Sequence, residues 1–245
     1  MKLAWGVTGA GHYLRETFEV FKKLKEDNSQ LKITTFVSRA GEEVIRMYGL
    51  ADELSRISCG SYLEESFFES QQGASSPKTG RFLLNKYDAL IISPATSNTT
   101  AKLAYGIADT IITNAVAQAV KGGVPVFIVP VDIAGFIESK MPFFIDRELC
   151  MKCEICPPAE NCPRKAITDQ IELLKCNGCA ICVRLCSYGA IRGGMAKLNV
   201  RDVDSKNVRL LKELEGITVL DAPSMISEVM LDQCKNRSTK RIKKD

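Results

Sequence analysis

The sequence has no apolar run near the roughly 18 residues of a membrane-spanning helix. Its longest candidates are broken by Asp, Asn or Lys. The amino terminus, Met1-Lys2-Leu3-Ala4-Trp5-Gly6, runs straight into a strand-like stretch and carries no signal-peptide cleavage region. No membrane partner is therefore expected, and the expected compartment is the cytoplasm. Net charge is scarce too, once the last residues are set aside. Lys235, Arg237, Lys240, Arg241, Lys243 and Lys244 face only Asp245 and account for the net +4. A body so close to neutral argues against a nucleic-acid partner. The tail at 235–245 reads as a solvated terminus, its other use being contact with an acidic partner. Histidine is nearly absent, with His12 alone in 245 residues.

Cysteine is abundant by contrast, at ten residues. In a leaderless intracellular chain that number argues for metal or redox chemistry rather than structural disulfides. Cys59 and Cys234 stand alone and read as free structural thiols. The other eight form two runs. The first is Cys150-x2-Cys153-x2-Cys156-x5-Cys162-Pro163, and the second is Cys176-x2-Cys179-x2-Cys182-x3-Cys186-Ser187.

A C-x2-C-x2-C loop can wrap three irons of a [4Fe–4S] cube, leaving the fourth to a distant cysteine, which in two-cluster ferredoxins lies in the opposite run. The stretch from Cys150 to Ser187 resembles those bacterial-type ferredoxins, including the Cys-Pro at 162–163. Two [4Fe–4S] clusters follow. One takes Cys150, Cys153, Cys156 and Cys186; the other takes Cys162, Cys176, Cys179 and Cys182. The first run carries two extra residues before Cys162 and the second ends in Cys-Ser, and neither departure removes a ligand. Zinc ribbons use paired C-x2-C units with four ligands per ion and have no use for a third cysteine at the same spacing.

Upstream of the cysteines, strands and helices alternate. Leu3 to Val7, Ile33 to Val37, Asp88 to Ser93 and Val124 to Val129 read as strands, and Glu16 to Lys25 has helical spacing of Phe18, Phe21 and Leu24. Glu69 to Gly80, rich in Gln, Gly and Ser, reads as a mobile surface loop. Such alternation predicts an α/β fold with a doubly wound parallel sheet. Ligands collect at the carboxyl ends of such strands, where loops 8–11, 38–41 and 94–100 fall. After the cysteines, Val203 to Leu214 and Pro223 to Leu231 read as helices around a strand at Ile217 to Leu220. Two such elements cannot make a core alone, so they are expected to complete the first sheet. The domain reading is 1–145 and 196–234 for the α/β body, 146–195 for the ferredoxin-like insert and 235–245 for the tail.

The run Ser93-Pro-Ala-Thr-Ser-Asn-Thr-Thr-Ala-Lys-Leu-Ala-Tyr-Gly-Ile-Ala-Asp109 resembles the signature of the homo-oligomeric flavin-containing cysteine decarboxylase superfamily. With the Gly9-Ala10-Gly11 loop and Ser38, the resemblance covers most of residues 1–131. It implies a flavodoxin-like fold and FMN bound at the subunit interfaces of a homotrimer or a multiple of it. By position it assigns Gly9, Ala10, Gly11, Ser38, Thr96, Ser97, Asn98 and Thr99 to FMN, and Asn114 as a further phosphate ligand. A flavoprotein of this kind with an inserted two-cluster ferredoxin resembles the superfamily's archaeal pterin reductases. That resemblance implies a dihydropterin small-molecule substrate and ferredoxin as electron donor.

The chemistry is coherent in its own right. Clusters move one electron at a time, a pterin C=N bond needs a hydride equivalent, and FMN converts between the two. The alternative is an electron-transfer flavoprotein that relays electrons from ferredoxin to another protein. A decarboxylase is disfavoured, because those relatives use a histidine elsewhere in the chain and a C-terminal substrate clamp that is missing. His12 is the one candidate catalytic residue: it could give a proton to the substrate or cap the helix that follows it.

Overall fold

A computed structural model describes residues 1–231, so the basic tail, Cys234 and the end of the expected 196–234 segment lie outside the described residues. Six strands form one sheet: β1 Lys2–Val7, β2 Lys32–Val37, β3 Ser66–Phe68, β4 Ala89–Ala95, β5 Val126–Pro130 and β8 Ile217–Val219, in the order β3-β2-β1-β4-β5-β8. All neighbouring pairs are parallel. The right-hand crossovers of such a sheet put helices on both faces, so its central strands are buried on both sides and read as unbroken apolar runs. Every residue of β4 is buried.

The two faces are sorted by the period of two along each strand. Leu3, Trp5 and Val7 of β1 point to a core shared with α1 Leu14–Asp27, α2 Arg39–Met47 and α3 Ala51–Ile57. Ala4 points the other way, to a core built on α5 Ile111–Lys121 and α8 Asp202–Lys212. Trp5 anchors the first face: it stacks on Phe21 at 4.2 Å and meets Phe18 edge-on at 4.9 Å. Its indole N–H donates to the Ser93 carbonyl at 2.8 Å, tying the core to the end of β4.

Five expected strands, including the one after the cysteines, are present within a few residues of their predicted ends. The short edge strand β3 is additional. The segment 69–80 is not the free loop its composition suggests. It holds two 3-10 turns, Glu69–Gln71 and Pro77–Arg81. The Glu69 carboxylate accepts from Arg39 N at 3.0 Å and Ile111 N at 2.8 Å, the first amides of α2 and α5. A carboxylate at two helix N-termini is favoured by their unpaired N–H groups and dipoles.

Between β5 and β8 the chain leaves the sheet. It builds an antiparallel hairpin from β6 Phe136–Ile145 and β7 Ile191–Asn199, bulged between Met141 and Phe144. All eight clustered cysteines lie between these strands, with short helices α6 Pro157–Glu160 and α7 Ile181–Leu185. The chain then returns through α8 to β8. Helix α4, Ser97–Ala104, follows β4 and packs against α8.

Trp5→Phe is expected to keep the ring packing and leave the Ser93 carbonyl buried without its donor. A loss of about 1–3 kcal/mol in the free energy of unfolding by urea is the expected outcome. A change within a few tenths would show that the indole bond does not hold β1 to β4.

Candidate functional site

Loops from β1, β2, β4 and β5 meet at the carboxyl edge of the sheet. The Thr8 hydroxyl joins two of them, donating to the Pro94 carbonyl at 2.7 Å and accepting from Thr96 N at 2.9 Å. Gly9 and Gly11 lie beside α2. A β-carbon at position 9 would collide with Ala40, and one at position 11 with the hydroxyl of Tyr48. Close packing of α2 is therefore enough to require Gly9, while the obstacle at position 11 is the end of the Tyr48 side chain, and Ala10 between them is buried.

Ser38 caps α2, its hydroxyl oxygen accepting from Gly41 N at 3.0 Å, which leaves the hydroxyl proton for an acceptor outside the helix. Thr96 caps α4 by accepting from Thr99 N at 3.2 Å and donates to the Thr99 hydroxyl at 3.0 Å. Ser97 donates to Asp132, while Asn98 is exposed on the first turn of α4. Thr99 is buried. Asn114 spends its amide N–H groups on the carbonyls of Ala108 (3.1 Å) and Thr110 (2.9 Å), bracing the N-terminus of α5. The edge thus gathers Ser38, Thr96, Ser97, Asn98 and Thr99 beside the glycine loop, with several of their polar atoms committed to helix caps.

His12 does not cap α1. The N-cap there is Tyr13, in the left-handed region at φ 63°, with no side-chain cap bond. His12 instead lies against the Tyr13 ring at 4.0 Å. Burial lowers its pKa below the ordinary 6.5, and the Glu16 and Asp132 carboxylates oppose that shift. Asp132 was not singled out from the sequence. Its one signal was its place just past a buried strand, where an α/β sheet keeps its chemistry. It also acts on Arg201, which the buried Asp204 grips through two bonds of 2.8 Å. His12, Ser97, Asp132 and Arg201 therefore bring β1, β4, β5 and the return from the hairpin to one place.

The eight cysteines divide between two cavities, and the division crosses the runs. One cavity, of about 510 Å³, is lined by Cys150, Cys153, Cys156 and Cys186. The other, of only about 10 Å³, is lined by Cys162, Cys176, Cys179 and Cys182. All eight are free thiols. Among the described residues, no three His, Cys, Asp or Glu side chains converge as a single-ion site. Backbone N–H groups of Ala166 and Gly178 donate to Cys162 Sγ (3.3 Å) and Cys176 Sγ (3.4 Å), the type of contact that tunes a cluster's sulfur ligands. Burial pushes the Cys182 thiol up, and Cys176 and Cys179 push it the same way. Four cysteines around one pocket would suit an iron–sulfur core, whose cationic irons take thiolate ligands. Seating one in the smaller pocket requires the 176–182 loop to spread.

The Flavoprotein family profile matches residues 1–137. The chain is 60% identical over 234 residues to a dihydromethanopterin reductase (acceptor) of Methanosarcina mazei, covering 93% of this chain and 98% of that one. It is 51% identical over 233 residues to a dihydromethanopterin reductase (acceptor) of Methanocaldococcus jannaschii, covering 93% and 95%. In fold it is similar to Burkholderia xenovorans DmrB in complex with FMN, described as a cubic protein cage for redox transfer. There the TM-score is 0.63 at 22% identity, over 96% of each chain.

Asp132→Asn removes a charge that favours protonated His12, so the imidazole pKa is expected to fall further below its ordinary value. Titration of the single histidine by NMR reads this directly. An unchanged or higher pKa would separate Asp132 from His12.

Proposed function

The chain belongs to the Flavoprotein family and, with the relatives it matches nearly end to end, to the dihydromethanopterin reductases (acceptor), and from that premise we propose how it works. It takes single electrons from ferredoxin through two [4Fe–4S] clusters to FMN and reduces 7,8-dihydromethanopterin to tetrahydromethanopterin. The observation that carries the reading is the division of the eight cysteines into two sets of four, each drawing one residue from the opposite run. Two-cluster ferredoxins require that exchange, and the set sits in one chain with a flavoprotein body.

FMN would be held by Gly9, Ala10 and Gly11, by Ser38, by Thr96 to Thr99 and by Asn114. The cap arrangement supports this assignment in part. Ser38 keeps a hydroxyl proton to give, and α4 turns its N-terminus towards the same edge, while the first amide of α2 is already held by Glu69. Bound there, FMN would supply the change from single electrons to a hydride equivalent. Reduction of the C=N bond takes two electrons and two protons in all. His12 is the titratable side chain at this edge that would pass a proton; burial disfavours its charged form, and Glu16 and Asp132 oppose that effect. Exposed Tyr105 and Ile107, which follow α4, suit burial in a homotrimer or a multiple of one. No helix among the described residues is long and apolar enough to cross a membrane.

Anaerobically reconstituted protein is expected to hold FMN with about eight iron and eight sulfide per chain. With reduced ferredoxin it should consume 7,8-dihydromethanopterin. Zinc in place of iron would overturn the cluster assignment. Electron delivery to a protein acceptor without pterin turnover would favour the relay instead.

Cys179→Ala is expected to damage the second cluster while keeping flavin and its reduction by a small chemical reductant. Ferredoxin-driven turnover should fall to a small fraction of wild type. Its survival would make the cysteine-rich segment a structural one.

A further inference from the structure

Tyr48, the residue that ends α2, touches both halves of the molecule. On one side its hydroxyl fills the space that a side chain at Gly11 would need. On the other its ring helps to line a small apolar cavity of about 40 Å³, together with Arg15 and Met47 of the α/β body. The opposite wall is Phe143 of the hairpin with Leu173 and Cys176 of the cysteine segment. Arg15 fixes the corner, donating to the Tyr48 carbonyl at 2.8 Å and lying 5.5 Å from its ring centre. Next along the chain, Gly49 faces Asn177, with room for no more than van der Waals contact if a β-carbon were present. Burial raises the Tyr48 pKa, so the phenol stays neutral and suits an apolar seam.

The cavity that holds Cys150, Cys153, Cys156 and Cys186 has no such neighbour. Among the described residues its walls come only from those between Ile145 and Ala190, and Met151 and Ile155 beside it are exposed. The two cysteine sets thus differ in their relation to the α/β body. One is seated on it through Tyr48; the other is walled only by its own segment.

We propose that Tyr48 is a positioning residue that seats the Cys176–Cys182 run against the Gly9–Gly11 loop, so that the cluster on this run is the one that delivers electrons to the flavin. The inference rests on the cofactor reading above and adds the order of the centres. Each reduced ferredoxin-type donor gives up one electron and is oxidised. Two such electrons, with two protons from water, are consumed for each C=N bond reduced. A cluster held by Cys150, Cys153, Cys156 and Cys186 would then take each electron first, and one held by Cys162, Cys176, Cys179 and Cys182 would take it second.

Tyr48→Ala, Tyr48→Phe and Phe143→Ala test this in two steps. In metal-free protein, alkylation followed by peptide mass mapping gives the rate at each thiol. Tyr48→Ala and Phe143→Ala should raise the rate at Cys176 several-fold and leave exposed Cys153 unchanged. Tyr48→Phe, which keeps the ring beside Phe143 and Leu173, should stay closer to wild type than Tyr48→Ala. In loaded protein with wild-type flavin and iron content, Tyr48→Ala should slow flavin bleaching by reduced ferredoxin by roughly 10- to 100-fold, the scale on which a small misplacement acts. Bleaching by a small chemical reductant should not change. Equal Cys176 alkylation in wild type and both alanine variants overturns the seating. Loosened seating with unchanged ferredoxin-driven bleaching overturns the order of the centres. Wild-type protein that loads no iron fails at the earlier reading, and this inference falls with it.

Discussion

Strand β8 pairs in parallel with β5, and that pairing constrains everything between them. The chain must leave the sheet after Val131, carry eight cysteines, and come back in register at Ile217. A segment tethered at one end could sample many positions over the α/β body. One tethered at both ends, through a hairpin and a packed helix, has few. The Arg201–Asp204 grip at the start of α8 and the packing of α8 on α4 hold the return path close to the carboxyl edge. The placement of the cysteine pockets is thus a property of the sheet as much as of the segment that bears them.

The same edge shows how a site is assembled from groups that are already in use. Thr8 is occupied by the Pro94 carbonyl and the Thr96 amide, Asn114 by two carbonyls, and Ser97 by Asp132. Buried polar groups must be paired somewhere, and caps pair them cheaply. What remains for a ligand is the second capacity of each group: a hydroxyl proton on Ser38 or the exposed amide of Asn98. Glu69 belongs to this economy as well. It supplies the negative charge that α2 and α5 favour at their N-termini.

The sheet was legible where burial on both faces leaves an unbroken apolar run, as in β4 and β5. It was illegible where that signal fails. Three residues of β3 are too few to show a period, and β7 is exposed on both sides, so neither was expected. The two cysteine runs stood out in the sequence because the residue is rare and its spacing is regular. Asp132, Arg201 and Tyr48 carry no such mark. Each is a common residue whose role comes from a neighbour far along the chain, and only the folded contacts reveal it. Gly9 and Gly11 stood out in the sequence as a ligand loop, while the collisions at Ala40 and Tyr48 give them a packing role as well.

Ile145 and Ile191 are register partners at the end of the hairpin, so the two ends of the cysteine segment stand one strand spacing apart. To the sheet below, that whole segment is equivalent to a turn. A two-residue loop of suitable residues would close the same two strands. The cysteine-bearing part can therefore be gained, lost or exchanged without redrawing the fold beneath it. A lineage could add such a segment to an older α/β body at a single point of entry, keeping the body's own core untouched.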